Sequence, residues 1–188
     1  MRIRESGMPD EIAWDSFFEP CKLLETLGLD NTVINVADFG CGYGTFAIPA
    51  AKTIKGKVYA IDINPEMIKI TSQKAKSCAL DNVETMLRDF TLEGSGLADE
   101  SVDYVILFNI LHGEEPEKIL QEAYRILKPG GKAGIIHWNH DSATPRGPPM
   151  EMRPRPEQCI KWAISSGFEI CGIHDLKPYH YGVTIHKK

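Results

Sequence analysis

The stretch VADFGCGYGT, Val36 to Thr45, joins an apolar run to three alternating glycines and then to a helix-forming segment. Val33–Phe39 predicts a buried strand and Thr45–Thr53 a helix, so the glycines occupy the bend between them. Glycine permits so tight a turn and lets a ligand approach the main chain. The helix that follows offers unpaired N–H groups and the positive end of its dipole, which suits a carboxylate or a phosphate. Lys57–Ile61 predicts a second strand, and Asp62 follows it, 22 residues beyond Gly40. An acid at that place can accept two hydrogen bonds from a ribose diol.

Two ligand classes compete for this arrangement. Gly42-Tyr43-Gly44-Thr45-Phe46-Ala47 fits the dinucleotide fingerprint G-x-G-x-x-A, which keeps NAD open. The longer string has the form D-x-G-x-G-x-G. Its carboxylate, Asp38, stands two residues before Gly40 and suits a ligand carrying an ammonium group better than a pyrophosphate.

Outward from the turn the same rhythm continues. Asn64-Pro65 is an N-cap followed by proline, and it predicts a helix to about Cys78. Val83–Arg88 and Val102–Phe108 predict the third and fourth strands. Between the fourth and fifth lies a helix, Pro116–Leu127, with Ile119, Leu120, Ala123, Tyr124 and Leu127 on one face. Pro129-Gly130-Gly131 predicts a turn into the fifth strand, Lys132–Trp138. Asn139–Pro156 carries Pro145, Pro148, Pro149, Pro154 and Pro156 and cannot be regular helix. A helix from Pro156 stops at Gly167, and Phe168–His174 with Tyr179–His186 predict an antiparallel hairpin. Ahead of all this, residues 1–29 predict a helical arm. One short helix opens at Met8-Pro9-Asp10 and bears Ile12, Trp14, Phe17 and Phe18; another starts at Pro20 and bears Leu23, Leu24 and Leu27. The expectation is an α/β domain over residues 30–188: seven strands, mostly parallel, helices on both faces, and a closing hairpin. The arm is expected to cap its site.

Composition narrows the function classes. The chain has 188 residues, 43% hydrophobic and 25% charged, which excludes a wholly disordered chain. Its net charge of −5 supplies no global positive field for nucleic acid or an anionic membrane surface. The charged N-terminal residues have no apolar stretch behind them and are not read as a secretory signal. Val102–Leu111 is strongly apolar but holds Asp103 and Asn109, and it is about half the length of a membrane-spanning helix. Cys21, Cys41, Cys78, Cys159 and Cys171 form no CxxC pair, and His137-x-x-His140 lacks thiolate or carboxylate neighbours, so no metal is expected. A reducing, cytoplasmic setting is the expectation, with no nucleic-acid partner and no membrane span. Oligomeric state is not fixed by these residues.

Taken together, the motifs resemble those of class I S-adenosylmethionine-dependent methyltransferases, in their small-molecule, UbiE-like (type 11) branch. VADFGCGYG resembles the first motif of that family and VYAIDINPEMI the second. Arg88-Asp89-Phe90 resembles the third, DYVILFNILH the fourth, and LKPGGKAGIIHW the fifth. Residues 30–140 are covered. The resemblance implies a Rossmann-like fold and S-adenosyl-L-methionine as cofactor, with S-adenosyl-L-homocysteine as its product. It implies cofactor contacts from Asp38, Gly40, Gly42, Gly44, Asp62, Ile63, Met67, Asp89, Phe90 and Asn109. Among these Asp62 takes the ribose, while Asp89 and the Phe90 backbone frame the adenine. The acceptor is expected to be a small molecule whose identity the resemblance does not give.

For catalysis His112 and His137 are the candidate general bases, one after the fourth strand and the other ending the fifth, both at the carboxyl edge where open α/β sheets bind ligands. Arg146, Arg153, Arg155 and Lys161 could clamp an acidic substrate or simply solvate a loop. Three functional readings stand at this point: a methyltransferase, a non-catalytic S-adenosylmethionine-binding module, and an NAD-dependent oxidoreductase.

Overall fold

The computed structural model describes residues 11, 14, 17–113, 115–141, 144, 145 and 147–188. The expected helix start at Met8-Pro9-Asp10, Ile12 and the candidate Arg146 lie outside the described residues.

Seven strands form one sheet: β1 Val36–Phe39, β2 Val58–Asp62, β3 Val83–Leu87, β4 Val102–Phe108, β5 Leu127–Trp138, β6 Glu169–Leu176 and β7 His180–His186. Their order across the sheet is β3-β2-β1-β4-β5-β7-β6. The first five run parallel, and β7 lies antiparallel between β5 and β6. α1 Pro20–Thr26 precedes β1, and between the strands run α2 Ala47–Thr53, α3 Pro65–Ser77, α4 Pro116–Ile126 and α5 Pro156–Ser165. The α/β expectation therefore holds, closing hairpin included.

Both sheet faces are covered, which is why β1 and β4 read as nearly continuous apolar runs instead of alternating ones. On one face Phe39, Val105 and Leu107 meet Ile119, Leu120 and Ala123 of α4 and Cys159 and Ala163 of α5. On the other, Val36, Ile106 and Ile136 meet Leu24 and Leu27 from α1 and its C-terminal end, together with Ala47 and Ala50 of α2. Tyr104 is wholly buried on this second face, and its hydroxyl donates to the Leu27 carbonyl at 2.9 Å. One side-chain hydrogen bond thus ties the arm to the centre of the sheet.

Two boundaries differ by three residues or more from the sequence reading. The first strand starts at Val36 because Asp30 turns the preceding segment: its Oδ1 accepts the Thr32 N–H at 2.8 Å, and the Val33 N–H bonds back to the Asp30 carbonyl. The turn expected at Pro129-Gly130-Gly131 sits within β5. Leu127 pairs with Val102, the chain then loops outward, and pairing resumes at Lys132 with Tyr104. The Gly130 N–H is taken by the Lys187 carbonyl at 2.8 Å, so the residue that follows β7 holds the excursion in place.

Candidate active site

The sheet order reverses between β1 and β4, and a crevice opens where the connections from two neighbouring strands leave in opposite directions. The loops after β1 and β4 meet there. Gly40, Gly42 and Gly44 have φ of 74°, 52° and 75°, conformations that side-chain-bearing residues rarely adopt. A Cβ on Gly40 would stand 2.9 Å from Cγ2 of Ile110, so the absent side chain is what lets the two loops touch. The turn is also fastened to its surroundings. The Gly40 and Cys41 N–H groups donate to the Ile61 carbonyl, and Thr71 of α3 donates to the Gly42 carbonyl at 2.8 Å.

Four polar residues converge on the crevice. Asp62, at the end of β2, accepts the Gly42 N–H at 2.9 Å through Oδ2 and the Asn64 N–H at 2.8 Å through Oδ1. The Ile63 N–H is a third backbone donor, and a carboxylate offers about four acceptor sites, so some acceptor capacity remains. Burial raises its carboxyl above the ordinary range, and those backbone donors oppose the rise. Asp38, in β1, is buried, and its Oδ2 has no partner among the described residues. Burial and then the neighbouring charge of Asp62 push its carboxyl up to about 7, against a hydrogen bond from the Ala47 N–H. Asn109 follows β4 with φ of 56°, its N–H tied to the Ile136 carbonyl at 2.8 Å. Both polar atoms of its side chain are buried without a partner among the described residues. Buried polar groups are nearly always paired, and strained backbone clusters at functional sites. His112 stands three residues further on.

The two histidines differ in their surroundings. His137 is fully buried, and its Nε2 accepts the Leu111 N–H at 3.1 Å. The lone pair that a base needs is therefore committed to the backbone, and the proton sits on Nδ1. Its ring lies edge-on to His112, with centroids 5.7 Å apart. Burial lowers the His112 imidazole below its usual range and keeps it neutral near pH 7, and its Nδ1 has no partner among the described residues.

The adenine candidates lie after β3. Asp89 caps the following turn, accepting the Thr91 and Leu92 N–H groups at 3.2 Å, and Phe90 stacks on Phe39 with centroids 4.7 Å apart. Ile63 is exposed beside Asp62, whereas Met67 is buried on α3. From the arm, Phe17 packs edge-on against Trp138 and Tyr179, and Phe18 packs edge-on against Phe46 and at a tilt against His180. These contacts bring the arm to the carboxyl end of β5 and the start of β7. Burial and then Arg153 drive His180 down to about 4.

Arg153 turns inward. Its guanidinium donates to the carbonyls of Pro148, Asn139 and Asp141 at 2.8, 3.1 and 3.2 Å and to the Thr144 hydroxyl. It fastens the proline tract instead of facing a substrate, while Arg155 and Lys161 are exposed. Thr71, Ile110 and His180 were not singled out from the sequence. Thr71 carries the one legible cue, a polar residue on the buried stripe of α3. A cavity of about 500 Å³ lies at the opposite, amino edge beside Tyr124, Ser166 and Lys187. Its cations are already paired, Arg125 with Asp99 and Glu122 and Lys187 with Glu100, so the crevice remains the candidate site. No group of three metal-ligating side chains occurs among the described residues.

Against known proteins, a family profile described as a methyltransferase domain matches residues 30–177. A demethylmenaquinone methyltransferase of Listeria welshimeri is 34% identical over 105 residues, 54% of this chain and 44% of that protein. The chain thus spans less than half the length of the curated relatives it matches. A crystal structure of a SAM-dependent methyltransferase from Aquifex aeolicus superposes with a TM-score of 0.82 at 28% identity, covering 97% of this chain and 95% of that one. The cyclase SpnF, at 19% identity, superposes with a TM-score of 0.78 over 97% of this chain and 84% of its own, which shows a shared fold alone.

Proposed function

The chain belongs to the methyltransferase domain family, and from that premise we propose that it transfers a methyl group from S-adenosylmethionine to a small-molecule acceptor. The observation that carries the reading is the pair of buried polar groups at the β1/β4 crevice that have no partner among the described residues, the Asp38 carboxylate oxygen and the Asn109 amide. The glycine turn between them leaves the main chain open to a ligand.

These residues fit the cofactor's functional groups. Asp38 suits an ammonium, because a cation beside it would favour the ionised carboxylate that burial and the Asp62 charge now disfavour. Asp62 retains lone pairs for ribose hydroxyls, and Asn109 offers both a donor and an acceptor to the amino-acid part or to the acceptor molecule. Met67 and Phe90 supply apolar surface on either side of β2 and β3, with Ile63, Asp89 and the three glycines completing the cofactor contacts. When bound, S-adenosylmethionine supplies a methyl group on a positively charged sulfur whose departure needs no proton.

The chain's own contribution is then alignment, exclusion of water and, for an acceptor protonated at neutral pH, proton removal. His112, neutral through burial, takes that proton at Nδ1. His137 acts on His112 and the Leu111 backbone and so positions the base. The arm, read as residues 1–29, and the tract 139–156 together serve as the roof of the crevice, and Arg153 fastens the described part of that tract. No helix among the described residues is long and apolar enough to cross a membrane, and a cytoplasmic setting remains the reading.

Calorimetry with S-adenosylhomocysteine against NADH tests the assignment. S-adenosylhomocysteine should bind and NADH should not. Asp62→Ala removes hydrogen bonds to a charged acceptor, a loss of roughly 1.5–3 kcal/mol, or about tenfold to a hundredfold in affinity. Unchanged binding by that variant would defeat the ribose role.

A further inference from the structure

At the amino edge of the sheet, remote from the crevice, the outer hairpin sets a thiol, an imidazole and a carboxylate in line. β6 is the edge strand, and Glu169 pairs there with His186 of β7. The register shifts between Ile170 and Gly172, which leaves Cys171 as the extra residue of a bulge, a device that re-aims the side chain it carries. The sulfur of Cys171 lies 3.2 Å from Nδ1 of His186. Nε2 of the same ring lies 3.5 Å from Oε2 of Glu169, whose other oxygen pairs with Lys188. Glu169 thereby favours the tautomer with its proton on Nε2 and leaves the Nδ1 lone pair facing the thiol. A thiol becomes nucleophilic when an adjacent base, itself oriented by a third group, can take its proton. Cys21 and Cys78 are exposed like Cys171, yet neither hydrogen-bonds to an imidazole among the described residues.

We propose that Cys171 is a base-assisted nucleophilic thiol and a modification site for small disulfides, independent of the methyl-transfer site. The thiol proton passes to Nδ1 of His186, and the sulfur attacks one sulfur of the disulfide. The reagent's S–S bond breaks as the protein–reagent S–S bond forms, and the departing thiolate takes up a proton. Cys171 is oxidised to a mixed disulfide and half of the reagent is reduced to a thiol, so the exchange needs no further oxidant.

The test is modification of the full chain at pH 7 by 5,5′-dithiobis(2-nitrobenzoate), followed by intact mass and peptide mapping. Cys171 should react about tenfold faster than Cys21 and Cys78 in the same sample, because an oriented base beside it takes the thiol proton as the sulfur attacks. His186→Gln should slow Cys171 to the rate of the other two, whose own rates stay unchanged. The buried Cys41 and Cys159 should remain unmodified in both proteins, which reports an intact fold. Should His186→Gln expose them, Glu169→Gln replaces it and should also slow Cys171 selectively. Equal rates at the three exposed thiols, or an unchanged Cys171 rate in the well-folded variant, would overturn the proposal.

Discussion

Replacing Asp38 by Asn should stabilise the unliganded protein and weaken cofactor binding, with a pH dependence that identifies the cause. An ordinary Asp carboxyl titrates near 3.8, whereas burial and the nearby Asp62 charge hold Asp38 up to about 7 in the folded chain. Between those values the folded state binds more protons than the unfolded state. Its advantage from this group is therefore complete below 3.8, is lost progressively as pH rises, and is gone above about 7. At pH 8 the buried charge costs at most about 4 kcal/mol, taking 1.36 kcal/mol per pH unit of displacement. An Asn side chain can still accept the Ala47 N–H but carries no charge. Relative to the natural chain, Asp38→Asn should then gain little at pH 4. At pH 8 it should gain up to roughly 8–16 °C in Tm, at about 2–4 °C per kcal/mol for a chain of this size. Thermal unfolding of both proteins across that range measures the difference, with S-adenosylhomocysteine titrations alongside. A Tm difference that does not change with pH would refute the buried-charge argument. Undiminished S-adenosylhomocysteine affinity would refute the ammonium role.

Two further changes probe the β4 loop. Asn109→Gly removes a side chain from a left-handed backbone position and should raise stability by about 1 kcal/mol or more, while weakening S-adenosylhomocysteine binding measured by calorimetry; unchanged affinity would leave the amide without a ligand role. His112→Ala should slow turnover of a protonated acceptor by ~10²–10⁴ with cofactor affinity retained. Because burial lowers this imidazole, the acid limb of the natural enzyme's pH–rate profile should fall below 6.5.

Much of the scaffold was legible because its signals are local. The Asn64 cap is one: its side chain accepts the Glu66 N–H at 2.9 Å, with proline in the first helical turn. The glycines at positive φ are another, since only that residue type adopts such conformations freely. Asp38 and Asp62 could be placed at strand ends by counting, because a βαβ unit fixes where its strands point. The roles of His137 and Arg153 could not be read in this way. Both residue types suit catalysis or anion binding in isolation, and what committed them was a backbone partner brought in by the fold: the Leu111 N–H for one, three carbonyls of the proline tract for the other.

By itself, then, the sequence determined the alternating α/β architecture, the glycine turn and the two acids beside it, because these follow from periodicity and backbone freedom over a few residues. Tertiary structure alone decided that β7 inserts between β5 and β6, that Asn109 and Asp38 are buried with hydrogen-bonding capacity unmet among the described residues, and that Cys171 faces His186. Each of these depends on groups far apart along the chain, or on whether water can reach an atom. Pairing across strands and the exclusion of solvent arise only when the whole sheet has assembled, so no local pattern of residues encodes them.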